Sequence, residues 1–325
     1  MSRIQKYKES LVRFIKDKSC LMEDNDNINI AKLNDYIYSV IKETDLILPI
    51  LLLTIMNNQN KKNHISMQSY YIATSIEFSI ILLHFIENRN DIIEKFDNDT
   101  YIKLYNFLFI YINKSLQQNI ESVKNILQGP NLINTILNSL NMFNDFFKMS
   151  NSFGDFKFDI TNKNCDNNII NWYLKNNDEL INKFNTFKQV SKESMFEYIE
   201  KKYIHVSILA ISLGWIIGSG DFKELNKLKK SAQSFALMYK IAKDFENLDK
   251  DIINGKDFTS NYVLNYGLQD GYEVFLNNKQ KFIEESMIED IYTNTIKEII
   301  DSIEENIDSI IDQTSPDLKS NYSKT

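Results

Sequence analysis

Residues Ser194 to Lys256 read SMFEYIEKKYIHVSILAISLGWIIGSGDFKELNKLKKSAQSFALMYKIAKDFENLDKDIINGK. Two apolar-periodic segments flank a break at Gly218, Ser219, Gly220 and Asp221, and each is long enough for several helical turns. The second segment then carries Lys240, Lys243, Asp244, Glu246, Asp249 and Asp251. Charges on a helix bound for a core need partners, because an unpaired buried charge is strongly unfavourable. A wall of any functional site is expected here.

The rest of the chain fits a helical protein. It has 325 residues, of which only 8 are Gly and 3 Pro. Strand-rich folds turn every few residues and draw on those two types, so an all-α bundle follows. Similar helices lie on both sides of the Gly- and Asp-containing stretch Ser150–Asn168, which reads as a surface loop. One domain over residues 1–325 is therefore expected, with a helix and loop over 1–29 and a polar tail over 313–325. The formal charge is −7 and no Lys/Arg cluster is evident, which disfavours nucleic acid as a partner. Cys20 and Cys165 have no metal-ligand spacing and point to a reduced, intracellular, cytoplasmic protein. Apolar runs such as Leu46–Met56 are too short to span a bilayer, so no transmembrane segment is expected, nor a signal peptide.

In chain order, apolar spacing predicts helices over 3–22 and 34–42, then one led by Pro49 in ILPILLLTIM. Asn57–Asn63 reads as a turn. Ser66–Ile86 is almost uncharged, with Glu77 and His84 the only exceptions, and belongs in the centre of a bundle. Further helices are predicted over 101–127, up to Met149, over 172–187, and from Ser194, with Ser194 as cap and Glu197 three residues on. Shorter helices broken at Gly267 and Gly271 follow, then a last one from Glu284 to Asp312.

The order and spacing of these segments resemble the trans-isoprenyl diphosphate synthases, the polyprenyl synthetase family. Five places carry the likeness over residues 30 to 312. They are TDLILPILLL around Pro49; Glu77 leading to Glu87-Asn88-Arg89-Asn90-Asp91 at the first Asp-rich motif; and Lys202-Tyr203 ahead of Gly214. The last two are Tyr239-Lys240-Ile241-Ala242-Lys243-Asp244-Phe245-Glu246-Asn247 at the second Asp-rich motif, and Gly255-Lys256. The resemblance implies an all-α isoprenoid-synthase bundle around a central cavity. It also implies an isoprenyl diphosphate ligand, Mg²⁺, and a homodimer or a heterodimer with an active synthase.

Carried over residue by residue, the resemblance assigns metal contacts to Glu87, Asp91, Asp244, Asn247 and Asp251, and diphosphate contacts to Arg89, Lys202, Lys240, Lys243 and Lys256. Both motifs are altered. Glu87 and Asp91 keep carboxylates at i and i+4, but Asn88 replaces the middle Asp. At the second motif Lys240 takes the Gln position and Lys243 the first Asp position, placing ammonium groups where Mg²⁺ needs oxygen ligands. Thr44, Asp45 and Leu48 stand for the family's Gly, Lys and Arg, and Phe96-Asp97 for its Arg pair.

A plainer reading stands beside each assignment. Glu87 and Asp91 also fit a charged helix terminus. Residues 240–251 also fit a helix face with pairs such as Lys240 with Asp244. His84 and His205 read as core histidines. Three functional readings follow: a family member without ordinary prenyl transfer (a pseudoenzyme or non-catalytic subunit), a prenyltransferase or terpene-synthase-like enzyme with an altered site, and a ligand-free helical scaffold. Asp244, Asn247 and Asp251 support the second, since their i, i+3, i+7 spacing matches a terpene-synthase metal motif.

Overall fold

The computed structural model describes residues 2–19, 21, 28–62, 69–124, 129–165, 169–170, 174, 177–254 and 257–314. In chain order the α-helices are α1 (Arg3–Lys18), α2 (Ile28–Glu43), α3 (Ile47–Lys62), α4 (Tyr70–Glu87), α5 (Arg89–Lys95), α6 (Asn98–Val123), α7 (Gly129–Gly154), α8 (Asp178–Phe184), α9 (Lys192–Ile199), α10 (His205–Ile217), α11 (Leu225–Glu246), α12 (Leu248–Asn254), α13 (Tyr262–Tyr266), α14 (Leu268–Ile288) and α15 (Asn294–Thr314). A π-helical turn, Glu200–Ile204, follows α9, and a 3₁₀ turn, Asp257–Ser260, precedes α13. Among the described residues the protein is all-α apart from one small antiparallel pair, β1 (Ile160–Asn164) with β2 (Lys188–Val190).

The chain folds as two compact units. The first comprises Met1–Asp155, His205–Lys229 and Glu289–Glu298; the second comprises Phe156–Ile204, Lys230–Ile288 and Ile299–Thr325.

In the first unit α4 packs along α6, and α3 packs along α10. Helix α4 is buried on nearly every side, as its predominantly apolar sequence requires. Among the described residues α4 is also the one helix long and apolar enough to cross a bilayer, and two-thirds of it is buried as core. Gly214 allows the close approach of α10 to α3: a Cβ there would lie 2.6 Å from the Leu52 carbonyl oxygen. Pro49 sits in the first turn of α3, where no N–H is missed.

The second unit holds the lower half of the chemistry-bearing stretch. Its core includes Tyr198, Phe184, Phe235, Phe245, Phe275 and Phe282, all nearly inaccessible. Phe235 meets Phe282 edge-on at 5.1 Å.

Several local expectations are corrected. Asn57–Lys62 is helix rather than turn, because tertiary packing buries Gln59 and Asn60, and the Asn57 amide donates to Tyr7 Oη at 2.8 Å. The stretch read as a loop, Ser150–Asn168, instead extends α7 to Gly154 and supplies β1; Thr161 Oγ1 donates to the Gln189 carbonyl across the pair. Helix α9 is capped by Ser191, not Ser194, whose hydroxyl accepts from Asp159 N–H at 3.0 Å. Gly267, at φ 99°, does break the chain, but Gly271 lies inside α14, against Val263. The last helix begins at Asn294 instead of Glu284, because α14 continues to Ile288 and Thr293 Oγ1 accepts the Ile296 N–H. His84 is exposed rather than core, its Nδ1 3.1 Å from the Asn88 amide. Residues 23–27, Trp172 and 315–325, whose sequence suggested loop, helix and polar tail, lie outside the described residues.

Candidate functional site

The residues at the second Asp-rich motif come together inside the second unit, and they do so around a lysine. Helix α11 places Lys240 and Asp244 one turn apart on its inner face, where they are 2% and 4% exposed. Lys240 Nζ is ion-paired with Asp244 Oδ1 and donates to the Ser260 carbonyl at 2.7 Å. The rings of Tyr198 and Tyr203 lie 5.7 and 5.5 Å from the same ammonium. Each of these contacts offsets part of the desolvation of a buried cation.

Asp244 is engaged on both oxygens. Oδ1 meets Lys240, and Oδ2 accepts the Tyr262 backbone N–H at 2.8 Å. The side-chain amide of Asn261 then ties the motif together, donating to the Asp244 carbonyl oxygen at 2.9 Å and to Asp251 Oδ2 at 2.8 Å. Asn261 Oδ1 in turn accepts the Leu264 N–H and caps α13. One buried polar network therefore fixes α11, α12 and the turn into α13. Burial pushes the Asp244 carboxyl above the usual carboxylate range, opposed first by the charge of Lys240.

The other residues assigned to this motif are placed differently. Lys243 is half-buried and pairs with Glu246 at 2.7 Å, with its ammonium 5.6 Å from the Tyr239 ring. Asn247 turns its amide back onto the Lys243 carbonyl of its own helix, at 2.9 Å. Asp251 belongs to α12 and is held by Asn261. The i, i+3, i+7 set therefore does not converge on one point: Asp244 faces Lys240 and Tyr262, while Asn247 bonds to its own backbone. Lys202, on the π-helical turn, donates to Tyr198 Oη at 2.9 Å and acts electrostatically on Asp244. A π-helical turn rotates the side chains that follow it out of α-helical register, and such turns cluster at functional sites. Lys256 and Gly255 lie outside the described residues.

The first-motif residues lie in the first unit. Glu87 ends α4 and Asp91 sits in the first turn of α5. The chain breaks between them at Asn88, whose N–H and side-chain amide both donate to the His84 carbonyl. Glu87 and Asp91 therefore belong to two consecutive helices, whereas the i, i+4 expectation had them on one. Both are exposed, and Asp91 complements the N-terminal end of its helix. Arg89 is also exposed, its guanidinium 5.5 Å from the Tyr101 ring. Asp97, near the expected Arg pair, caps α6 by accepting the Thr100 N–H at 2.6 Å, which lowers its pKa. Asp45 Oδ1 likewise accepts the Ile47 N–H at the start of α3.

Tyr198, Ser260, Asn261 and Tyr262 were not singled out from sequence, and Tyr203 only as the neighbour of Lys202, although all five touch the Lys240–Asp244–Asp251 cluster. One sequence signal pointed to the first of them: Tyr198 stands four residues before Lys202.

Comparison with solved structures gives the architecture its context. An FPP/GFPP synthase from Zymomonas mobilis superposes with a TM-score of 0.55 at 12% identity, over 88% of this chain and 91% of that one. The fold is that of the prenyl diphosphate synthases. A geranyltransferase from Helicobacter pylori gives 0.56 at 12% identity over 96% of this chain and 98% of its own. A geranylgeranyl pyrophosphate synthetase from Pyrococcus horikoshii gives 0.52 at 15% over 98% and 91%. No family model and no curated protein matches the sequence. At such identities the likeness extends to the fold and leaves the chemistry to this chain's own residues.

Proposed function

We propose that this chain keeps the prenyl-synthase scaffold without ordinary prenyl transfer, and serves as a non-catalytic subunit of a dimer. The observation that carries this reading is the state of Asp244. It is the carboxylate that holds an Asp position in the second motif, and both its oxygens are committed to Lys240 and to the Tyr262 N–H.

Mg²⁺ requires carboxylate oxygens with retained waters. A dication about 4 Å from the Lys240 ammonium would be repelled by roughly 8 kcal/mol at an effective dielectric of about 20. The residues present therefore do not fit the metal that the fold family uses. Lys240 instead supplies a tethered positive charge that neutralises the carboxylate from inside the chain.

The subunit part rests on exposed apolar side chains. Ile133, Leu137 and Leu140 lie on α7 at four- and three-residue spacing, and Ile102, Phe109 and Ile110 lie on α6. The two helices touch through Phe109 and Phe147, whose ring centroids are 4.7 Å apart. Clustered exposed apolar residues of this kind mark association surfaces, and the three-four spacing suits helix-on-helix packing. A second chain of the same fold is the occupant this reading implies.

The test is incubation of the purified protein with geranyl or farnesyl diphosphate, isopentenyl diphosphate and Mg²⁺. The expected result is no chain elongation; clear product formation would sink the reading. As a control on the cause, Lys240→Gln frees Asp244 of the ammonium. That variant is expected to bind Mn²⁺, read as loss of the free ion's electron paramagnetic resonance signal, which the unaltered protein leaves unchanged.

A further inference from the structure

Glu77 lies at the centre of α4, 1% exposed, and neither carboxyl oxygen has a hydrogen-bond partner among the described residues. This is unusual, because a buried ionised carboxylate without donors is among the least favourable arrangements in a folded chain. A buried carboxyl with no donors holds its proton instead. Its surroundings favour that state. Burial is the main influence; Thr44 beside it is the first to oppose protonation, through a hydrogen bond, although its hydroxyl proton is also drawn to the Ile41 carbonyl at 2.8 Å. Asp45 adds a like charge, and Lys8 of α1 is the opposing one.

Elsewhere the walls carry little charge. Helix α3 has none before Lys61, and α10 carries only His205. Helix α6 turns Asp99, Lys103 and Glu121 to solvent, while Lys114 lines a surface depression with Tyr71. Helix α7 exposes Asp145 and Lys148. Tyr111 of α6 reaches Phe78, next to Glu77, but gives its hydroxyl proton to Asn34.

The turn that closes over Glu77 is itself under strain. Leu46, in the α2–α3 turn beside Thr44 and Asp45, has φ 59° and is 1% exposed. A buried leucine in the left-handed region persists only when its surroundings hold it there.

We propose that Glu77 is a proton-operated latch on the α2–α3 turn: the neutral carboxyl lets Thr44–Leu46 seat against α4, and loss of its proton to solvent releases the turn. On ionisation the carboxylate repels Asp45 and, with no hydrogen-bond partner on either oxygen, needs water or a closer Lys8. Opening admits both and relaxes Leu46. In keeping with this, burial and the Asp45 charge push the Glu77 carboxyl up to about 8, so the change falls close to neutrality.

Hydrogen–deuterium exchange of the full chain, corrected for intrinsic rate, tests the latch from pH 6 to 9.5. Amides 44–48 are expected to lose at least about tenfold protection with rising pH in the unaltered protein, and to keep it in Glu77→Gln. Asp45→Asn removes the like charge, so the midpoint moves to lower pH; Lys8→Gln removes the opposing one, so it moves up. Protection that is flat with pH in the unaltered protein, or midpoints that ignore both flanking substitutions, would overturn the proposal. The two flanking variants decide the matter even if Glu77→Gln does not fold.

Discussion

Replacing Lys240 by Met tests the central claim about the site most directly. The substitution keeps a long unbranched side chain in the space between Tyr198, Tyr203 and Asp244, and removes only the charge and its donors. Asp244, 4% exposed, is then left with one donor, the Tyr262 N–H, and the Ser260 carbonyl loses its bond to the ammonium. Breaking a buried pair on one side costs about 3–5 kcal/mol, because the orphaned charge stays desolvated. Asp244→Asn, which strands the ammonium, is expected in the same range. The double variant Lys240→Met/Asp244→Asn removes both charges of the pair and keeps an acceptor for Tyr262, so it is expected within about 2 kcal/mol of the unaltered protein. Urea unfolding followed by circular dichroism gives the three free energies, with constant m-values as the check that the ensembles are comparable. With those single costs and a double cost within about 2 kcal/mol, the coupling should exceed about 4 kcal/mol, above the usual range for residues in direct contact. Additive single costs, or a Lys240→Met cost below about 1 kcal/mol, would refute the reasoning: Lys240 would then be an ordinary solvated lysine, and Asp244 would be open to a metal.

Stability should also depend on pH through Glu77. Its folded-state pKa lies above the ordinary 4.5, so the contribution is fully present below about 4.5 and is lost as pH rises through about 8. Thermal unfolding at pH 5, 7 and 9 should show a falling midpoint that Glu77→Gln flattens, the total amounting to at most about 5 kcal/mol. Gly214→Ala is expected to cost about 1–3 kcal/mol, since its Cβ would meet the Leu52 carbonyl at 2.6 Å and backbone must move; urea midpoints check it. By sedimentation the unaltered chain should be a dimer, and Ile133→Lys/Leu137→Lys a monomer with unchanged helical signal. An unaltered chain that sediments as a monomer would remove the self-association reading.

The fold class needed nothing beyond the sequence. Sparse Gly and Pro, and long apolar periodicities, leave helices as the economical way to satisfy the backbone, and the order of the segments carried the likeness to prenyl synthases. Local polarity misled where packing overruled it: Asn57–Lys62 stays helical because Gln59 and Asn60 are buried, and Ile160–Asn164 becomes a strand because Lys188–Val190 pairs with it.

The site divides along the same line. Sequence alone put two lysines where the family has Gln and Asp, and so raised the doubt about metal binding. Only tertiary structure decided what those lysines do, because burial and hydrogen bonding are set by distant parts of the chain. Ser260, Asn261 and Tyr262 arrive from beyond α12, and the rings of Tyr198 and Tyr203 from α9 and the π-helical turn. Lys240 is thereby enclosed against Asp244, while Lys243, three residues along the same helix, turns outward to Glu246. A helix places neighbouring residues on different faces, and which face meets the core is a property of the whole fold.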